Sequence, residues 1–244
     1  MELYNMINIY STKFIPVFLR VGILFTFIPY LGGTSVPAVA RIGLILAFTL
    51  LFLPVVDINP DQYYALYDAI FIGIALGLCY RLIASAMEMA AQWISLQMGF
   101  GVAGVFNPQF GEVLGPVSLL YSLITLVLFF VLDIHHYFIE AISFSFSTTH
   151  LRYDNIVESV VRFSSIIFPM AFKIAAPMIL IHMMINIGMG FLSRAMPQAN
   201  IFFISFPVLI FIGLFVMAIS MPLTIAVFSN GFINFKNAIK VFLR

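Results

Sequence analysis

Charged residues are scarce in this 244-residue chain, at 9% of the sequence. Soluble domains carry about 25% charged residues, and a soluble fold with so few would expose an apolar surface and aggregate. Hydrophobic residues instead make up 63%, and the mean hydropathy is +1.11. Because lipid-facing surface is apolar, the composition predicts an integral membrane protein.

Cysteine is almost absent, since Cys79 is the single one. One cysteine forms no intrachain disulfide and gives no metal-site spacing, so we interpret Cys79 as a small buried packing residue. The net charge of +1 offers no basic surface for nucleic acid. The sequence also lacks a phosphate-binding P-loop. We therefore predict no nucleic-acid partner and no cofactor.

Long charge-free runs are abundant, and a spanning helix needs about 20 mostly apolar residues. The candidate runs are 21–40, 42–56, 69–80, 89–111, 113–132, 174–193 and 195–235. Arg81 and Glu88 separate two of them, which therefore form either one long bent unit or a hairpin. The last run is too long for one span, and Pro207, Gly213 and Pro222 are available to break or bend it. We predict an all-α membrane fold of about six long, partly broken hydrophobic helices or hairpins.

A glycine-rich segment interrupts the longest central run. It contains Gly99, Gly101, Gly104, Asn107, Pro108, Gly111 and Gly115. Its first three glycines match the G-x-G-x-x-G pattern, but the acidic residue that a dinucleotide site needs about 20 positions later is missing. The segment instead predicts a break in the helix at membrane depth. Such backbone persists only when it is buried in protein or lines an aqueous cavity.

Ionisable residues cluster at the end of another run, where Asp133, His136 and Glu140 lie on one helical face beside His135. Neither an H-E-x-x-H spacing nor a second ligand cluster is present, so the pattern does not predict a metal site. We interpret it as a helix end in the headgroup region, with a proton relay as the alternative.

Two residue pairs predict helix contacts. Gly73 and Gly77 form a small-xxx-small pair, which suits close packing against another helix. His182 and Asn186 lie one helical turn apart. They either form hydrogen bonds between helices of this chain or face a partner subunit or channel.

Two stretches together resemble the FliR family of the bacterial flagellar export gate. The first reads Gln-Met-Gly-Phe-Gly at 97–101, Asn107-Pro108, Leu-Phe-Phe-Val-Leu-Asp-Ile-His-His at 128–136 and a Ser-Phe repeat at 143–147. The second contains Ala175, Ala176, Pro177, Asn186, Gly190, Arg194, Pro197, Gln198, Asn200 and Phe202. Similar motifs occur in family members, although most of them carry Asp where this chain has Asn107.

The resemblance implies a single membrane domain over 1–244. Within it, residues 1–160 correspond to a FliP-like portion with a loop or break at 99–115. Residues 161–244 correspond to a FliQ-like hairpin and a C-terminal helix. The glycine-rich segment lies where the family places a gate or plug loop. Asp133, His135 and His136 form the family motif at a helix end, and the second stretch, from Ala176 to Asn200, packs against neighbouring subunits.

The resemblance also implies partners and a location. FliP-like and FliQ-like membrane subunits join the chain in a helical hetero-oligomer around a closed pore. FlhB-like and FlhA-like components dock to it, and unfolded export substrates pass through. The complex lies in the bacterial inner membrane at the flagellar basal body, in contact with lipid, with part of it above the bilayer plane on the periplasmic side.

Three alternatives to the flagellar function stay open. The first is an export-gate subunit of a virulence injectisome. The second is a secondary transporter that uses Arg81, Glu88 and the broken segment, although no related halves of the kind found in many transporters are detectable. The third is an intramembrane enzyme built on Asp133, His136 and Glu140. The export reading predicts no catalytic activity.

Overall fold

The computed structural model describes residues 2–28, 36–56, 64–100, 115–147, 153–198 and 200–242. Within these ranges lie the helices α1 (Glu2–Phe27), α2 (Ala38–Phe52), α3 (Tyr64–Gln97), α4 (Pro116–Val131), α5 (Ile134–Ser147), α6 (Tyr153–Ala195) and α7 (Ile201–Phe242). The same ranges contain no β-strand. The prediction of an all-α membrane protein is confirmed.

Helix α3 runs without interruption through the two charged positions of the central region. It contains 34 residues, and both Arg81 and Glu88 are half-buried. Its apolar window is 61% buried inside the protein, against 33% for α6 and 22% for α7. An ionisable residue in an apolar helix is tolerated where it faces protein. The two runs therefore form one long helix rather than a hairpin.

Within the described residues, the candidate spans are fewer than the six or so hydrophobic helices or hairpins expected. Three described helices are long and apolar enough to cross a membrane, over Leu66–Gln97, Ile156–Ala195 and Phe203–Lys236. A fourth span results if α4 and α5, bent by 60° at their junction, are counted as one broken span. Two predicted runs merge in α3, and α2 has only 15 residues, so the count of six is not confirmed.

Prolines do not end the two longest helices. Helix α6 contains Pro169 and Pro177, and α7 continues over 42 residues through Pro207 and Pro222. Proline removes one helical hydrogen bond, but membrane helices tolerate it when neighbouring groups satisfy the freed carbonyl. The residues from Ile201 to Phe242 therefore form one helix without a break.

The chain divides into two compact units. The first unit comprises Met1–Ala84, Phe129–Ser165 and Phe232–Arg244. In it, α3 packs closely on α1: a Cβ added at Gly77 would lie 2.7 Å from Cβ of Phe27, and one at Gly73 would lie 3.1 Å from the Arg20 carbonyl oxygen. The predicted close packing at this glycine pair is confirmed. Cys79, in the same helix, is buried as predicted.

Aromatic rings fill the centre of the first unit. The Tyr80 ring lies 5.1 Å from that of Phe138 in a T-shaped arrangement, and the rings of Phe138 and Phe235 are 5.9 Å apart. Phe163 contacts Phe235 edge-on at 5.7 Å. Such pairs add about 0.5–1.5 kcal/mol each beyond the burial of their area. Residues from α3, α5, α6 and α7 thus share one core.

The second unit comprises Ser85–Leu128 and Ile166–Gly231. Its inner contacts join α3, α6 and α7. The Trp93 ring meets the Phe168 ring edge-on at 5.4 Å, and a Cβ added at Gly231 would lie 2.9 Å from Sδ of Met170. Large apolar side chains nevertheless remain exposed on α6 and α7, among them Met184, Phe191, Phe203 and Phe211.

Candidate functional site

The predicted break begins where α3 ends. Gly99 has a φ of +84°, and its N–H donates to the Leu96 carbonyl at 3.1 Å while the Phe100 N–H donates to the Ser95 carbonyl at 3.0 Å. These two bonds and the left-handed glycine form a Schellman motif, which satisfies the last carbonyls of a helix. Helix α3 therefore ends just before Gly99, the first residue of the segment 99–115 in which the sequence predicts a break.

Helix α7 holds this helix end in place. A Cβ added at Gly99 would lie 2.7 Å from Cε1 of Phe206, and one at Gly213 would lie 2.7 Å from Cγ of Met98. Met98 itself is fully buried. Both contacts need a glycine, so the start of the broken segment is fixed by close packing on a long helix.

The second edge of the segment, at Gly115, also lies against the end of α3. A Cβ added at Gly115 would lie 3.0 Å from Oγ of Ser95, which belongs to the last turn of α3 and is buried. The Gly115 carbonyl accepts the first hydrogen bond of α4, from Leu119 N–H at 3.0 Å. Both edges of the segment therefore meet the end of α3. Gly101, Gly104, Asn107, Pro108 and Gly111 lie outside the described residues.

The ionisable cluster occupies the junction of α4 and α5. Asp133 has a φ of +53°, an uncommon conformation for a residue with a side chain. Its Oδ1 lies 3.2 Å from Nδ1 of His136, and both side chains are exposed. His136 and Glu140 line a cavity of about 710 Å³, and Phe52 of α2 and Val55 of the turn after α2 also line it.

The predicted subunit-packing residues follow α6 into the turn before α7. Ala176 and Pro177 are half-buried within the second unit. Exposure increases toward the turn, where Asn186, Gly190, Arg194, Pro197, Gln198 and Asn200 are all exposed. The structure thus places these residues along one helical hairpin, with its turn-proximal part uncovered by the rest of the chain.

Comparison with known proteins gives this arrangement its context. The model of the family "Bacterial export proteins, family 1" matches residues 11–235. The flagellar biosynthetic protein FliR of Escherichia coli strain K12 is 30% identical over 215 residues, which cover 84% of this chain and 82% of that protein. The chain belongs to the FliR family. FliR of Bacillus subtilis strain 168 is 27% identical over 90% of each chain, and FliR of Pectobacterium carotovorum is 29% identical over 90% of this chain and 88% of that protein.

The histidine and asparagine of α6 have different environments. His182 is fully buried, with Nδ1 3.1 Å from the Met178 carbonyl oxygen and Nε2 3.1 Å from the Leu209 carbonyl oxygen on α7. Asn186, one turn further, is exposed. His182 therefore connects the two helices of the hairpin, whereas Asn186 is available to a neighbour.

Helix α1 contains a buried cation whose partners the sequence did not predict. Arg20 is 4% exposed, donates to the Ser145 carbonyl and hydroxyl at 3.0 and 2.9 Å, and stacks on the Phe146 ring at 3.9 Å. Burial lowers the pKa of its guanidinium to about 10, although the Asp68 carboxylate acts in the opposite direction. Arg20 therefore stays protonated at neutral pH and fixes the Ser-Phe repeat against α1.

Proposed function

We propose that this protein is a structural and gating subunit of the bacterial flagellar protein-export apparatus, without catalytic activity of its own. The observation that carries the proposal is the family match over residues 11–235, combined with a segment whose two edges pack on α7 and on α3. The relatives described above are named for flagellar biosynthesis, which favours the flagellar over the injectisome reading. Energy for transport comes from partners, since the chain has no P-loop.

The segment from Gly99 to Gly115 is the proposed gate or plug loop. Two contacts support this role: Gly99 packs on Phe206 of α7, and Gly115 packs on Ser95 of α3. Both contacts fix the ends of the helices on either side of the segment. Interrupted backbone in an apolar chain also requires shelter by protein or water, which the wall of a pore provides.

The hairpin formed by α6 and α7 is the proposed contact with other subunits. Its exposed side chains combine large apolar groups, such as Met184 and Phe191, with the polar Asn186 and Arg194. Exposed apolar patches mark protein or membrane contacts, and an asparagine amide in an apolar setting gains from an interhelical hydrogen bond. The proposed partners are FliP-like and FliQ-like subunits, with FlhB-like and FlhA-like components docking to the assembly.

The proposed division of the chain follows the same reasoning. Residues 161–244 act as a FliQ-like hairpin followed by a C-terminal helix, which the tight turn between Ala195 and Ile201 supports. Residues 1–160 act as the FliP-like portion. The assembly is placed in the inner membrane, with part of it on the periplasmic side.

Replacing the loop tests the gate. In cells that lack their own copy, a variant without residues 101–111 is compared with one in which the same residues become an equally long Gly/Ser stretch. We expect both to raise ion leakage through the export complex, because a flexible linker cannot seal a pore. The equal-length variant controls for simple shortening. If both variants leave export shut and leakage unchanged, the plug role is wrong, whereas membership of the apparatus is tested separately by co-purification with its partner subunits.

A further inference from the structure

Three potential metal ligands meet at the junction of α4 and α5. One donor atom from each of Asp133, His135 and His136 lies within 4.8 Å of the others. Neighbouring side chains on a helix normally diverge, yet the rings of His135 and His136 are only 4.1 Å apart between centroids. Their proximity is a product of the folded junction, which explains why the sequence spacing alone did not predict a metal site.

One of these imidazoles has an unused nitrogen. Nδ1 of His135 is buried and has no hydrogen-bond partner among the described residues. An unpaired buried polar atom costs about 1–3 kcal/mol, and a bound metal ion removes that cost. The carboxylate of Asp133 already lies 3.2 Å from Nδ1 of His136. Ligand atoms around a tetrahedral ion, each about 2.1 Å from the metal, are about 3.4 Å apart, so the separation of these two atoms suits a shared ion.

The site is also accessible. The side chains of Asp133 and His136 are exposed, and His136 lines the cavity of about 710 Å³ together with Glu140 and Ser143. An ion held by three protein ligands keeps a position for water, and the cavity offers room for it. The cluster is accessible and leaves a coordination position open for water. In both respects it differs from an ion pair that packing closes off from solvent.

We propose that Asp133, His135 and His136 bind one divalent transition-metal ion. Two imidazoles and one carboxylate suit Zn²⁺ and its first-row neighbours, whereas Mg²⁺ and Ca²⁺ prefer oxygen ligands alone. Because Asp133 precedes α5 and both histidines lie in its first turn, the ion fixes the direction in which α5 leaves the break. This role is independent of the proposed export function.

Metal binding by the purified full-length chain tests the site. The protein is prepared in detergent with an affinity tag that contains no histidine, stripped with a chelator and titrated with Zn²⁺ by calorimetry, with elemental analysis after desalting. We expect one ion per chain. His135→Gln, His136→Gln and Asp133→Asn should each weaken binding by about 10-fold or more, since even outer-shell changes cost about 10–100-fold. Glu158→Gln is the matched control, because Glu158 is an exposed carboxylate on α6. This variant should leave binding unchanged.

A spectroscopic measurement guards against misfolded variants. Co²⁺ added to the stripped wild-type protein should give visible d–d absorption that Zn²⁺ removes, and helical circular dichroism should be equal in all variants used. Absence of binding in the wild-type protein overturns the proposal on its own. Unchanged affinity in the His135→Gln/His136→Gln double variant overturns it as well.

Discussion

At the residue scale, the interruption of α3 depends on a glycine for two separate reasons. Gly99 adopts a left-handed φ, which costs a residue with a Cβ about 1–2 kcal/mol. Its α-carbon also faces Phe206 so closely that an added Cβ would overlap the ring. Both the conformation and the space therefore exclude a side chain at this position.

Gly99→Ala should lower the thermal unfolding midpoint of the purified protein, with a loss of about 2 kcal/mol or more from strain and overpacking combined. Gly188→Ala is the control, because no atom lies within 4 Å of its added Cβ. Within a helix this change should be neutral or stabilising by up to about 1 kcal/mol. Adding Phe206→Ala to Gly99→Ala should relieve the clash but not the φ strain. Equal midpoints for both alanine variants would contradict this account.

The glycine cluster predicted this interruption because left-handed conformations favour glycine whatever the fold. The ring that faces Gly99 could not be predicted in the same way. Phe206 is more than 100 positions away in the sequence, and nothing in a run of apolar residues marks which one contacts a distant turn. Arg20 is a similar case, since its partner Ser145 belongs to a short polar repeat whose role depends on tertiary contact.

At the element scale, the α6–α7 hairpin contains a polar connection within an apolar contact. His182 lies between the carbonyl oxygens of Met178 and Leu209. Interhelical hydrogen bonds of this kind contribute about 0.6–2 kcal/mol in membranes. The sequence left open whether His182 and Asn186 form hydrogen bonds between helices of this chain or face a partner, because a sequence does not show which helix lies beside each of them.

Removing this connection should loosen the hairpin. We expect His182→Leu to destabilise the purified chain by about 1–2 kcal/mol and to speed amide hydrogen exchange near Leu209. His182→Gln, which keeps a hydrogen-bond donor, should lose less. Asn186→Leu is the matched control, since its side chain is exposed and stability of the isolated chain should not change. Identical exchange in the His182→Leu and Asn186→Leu variants would contradict the connection.

At the scale of the whole molecule, the apolar character expected from composition is unevenly distributed. The apolar window of α3 is mostly buried, whereas those of α6 and α7 are mostly exposed. The sequence predicted membrane helices from hydropathy, and three or four candidate spans lie within the described residues. Hydropathy cannot distinguish a helix covered by its own chain from one covered by lipid or another subunit, because both are equally apolar.

Exposure of the hairpin can be measured with one introduced cysteine. The native Cys79 is 4% exposed and should react slowly, whereas Phe191→Cys replaces a side chain that is 70% exposed. We expect rapid labelling of this cysteine in the isolated chain and protection from labelling, or crosslinking, in the assembled complex. Met178→Cys, at a position 2% exposed, should stay unlabelled in both. Equal labelling of Phe191→Cys in the chain and in the complex would place the hairpin outside any subunit contact.

The discontinuous first unit has a consequence for biosynthesis. Residues from Phe232 onward belong to it, and Phe235 is fully buried against Phe138 and Phe163. These residues leave the ribosome after all other described parts of both units. The aromatic core of the first unit is therefore incomplete until the last turns of α7 have been synthesised. A nascent chain halted before Phe232 lacks the rings that complete this core.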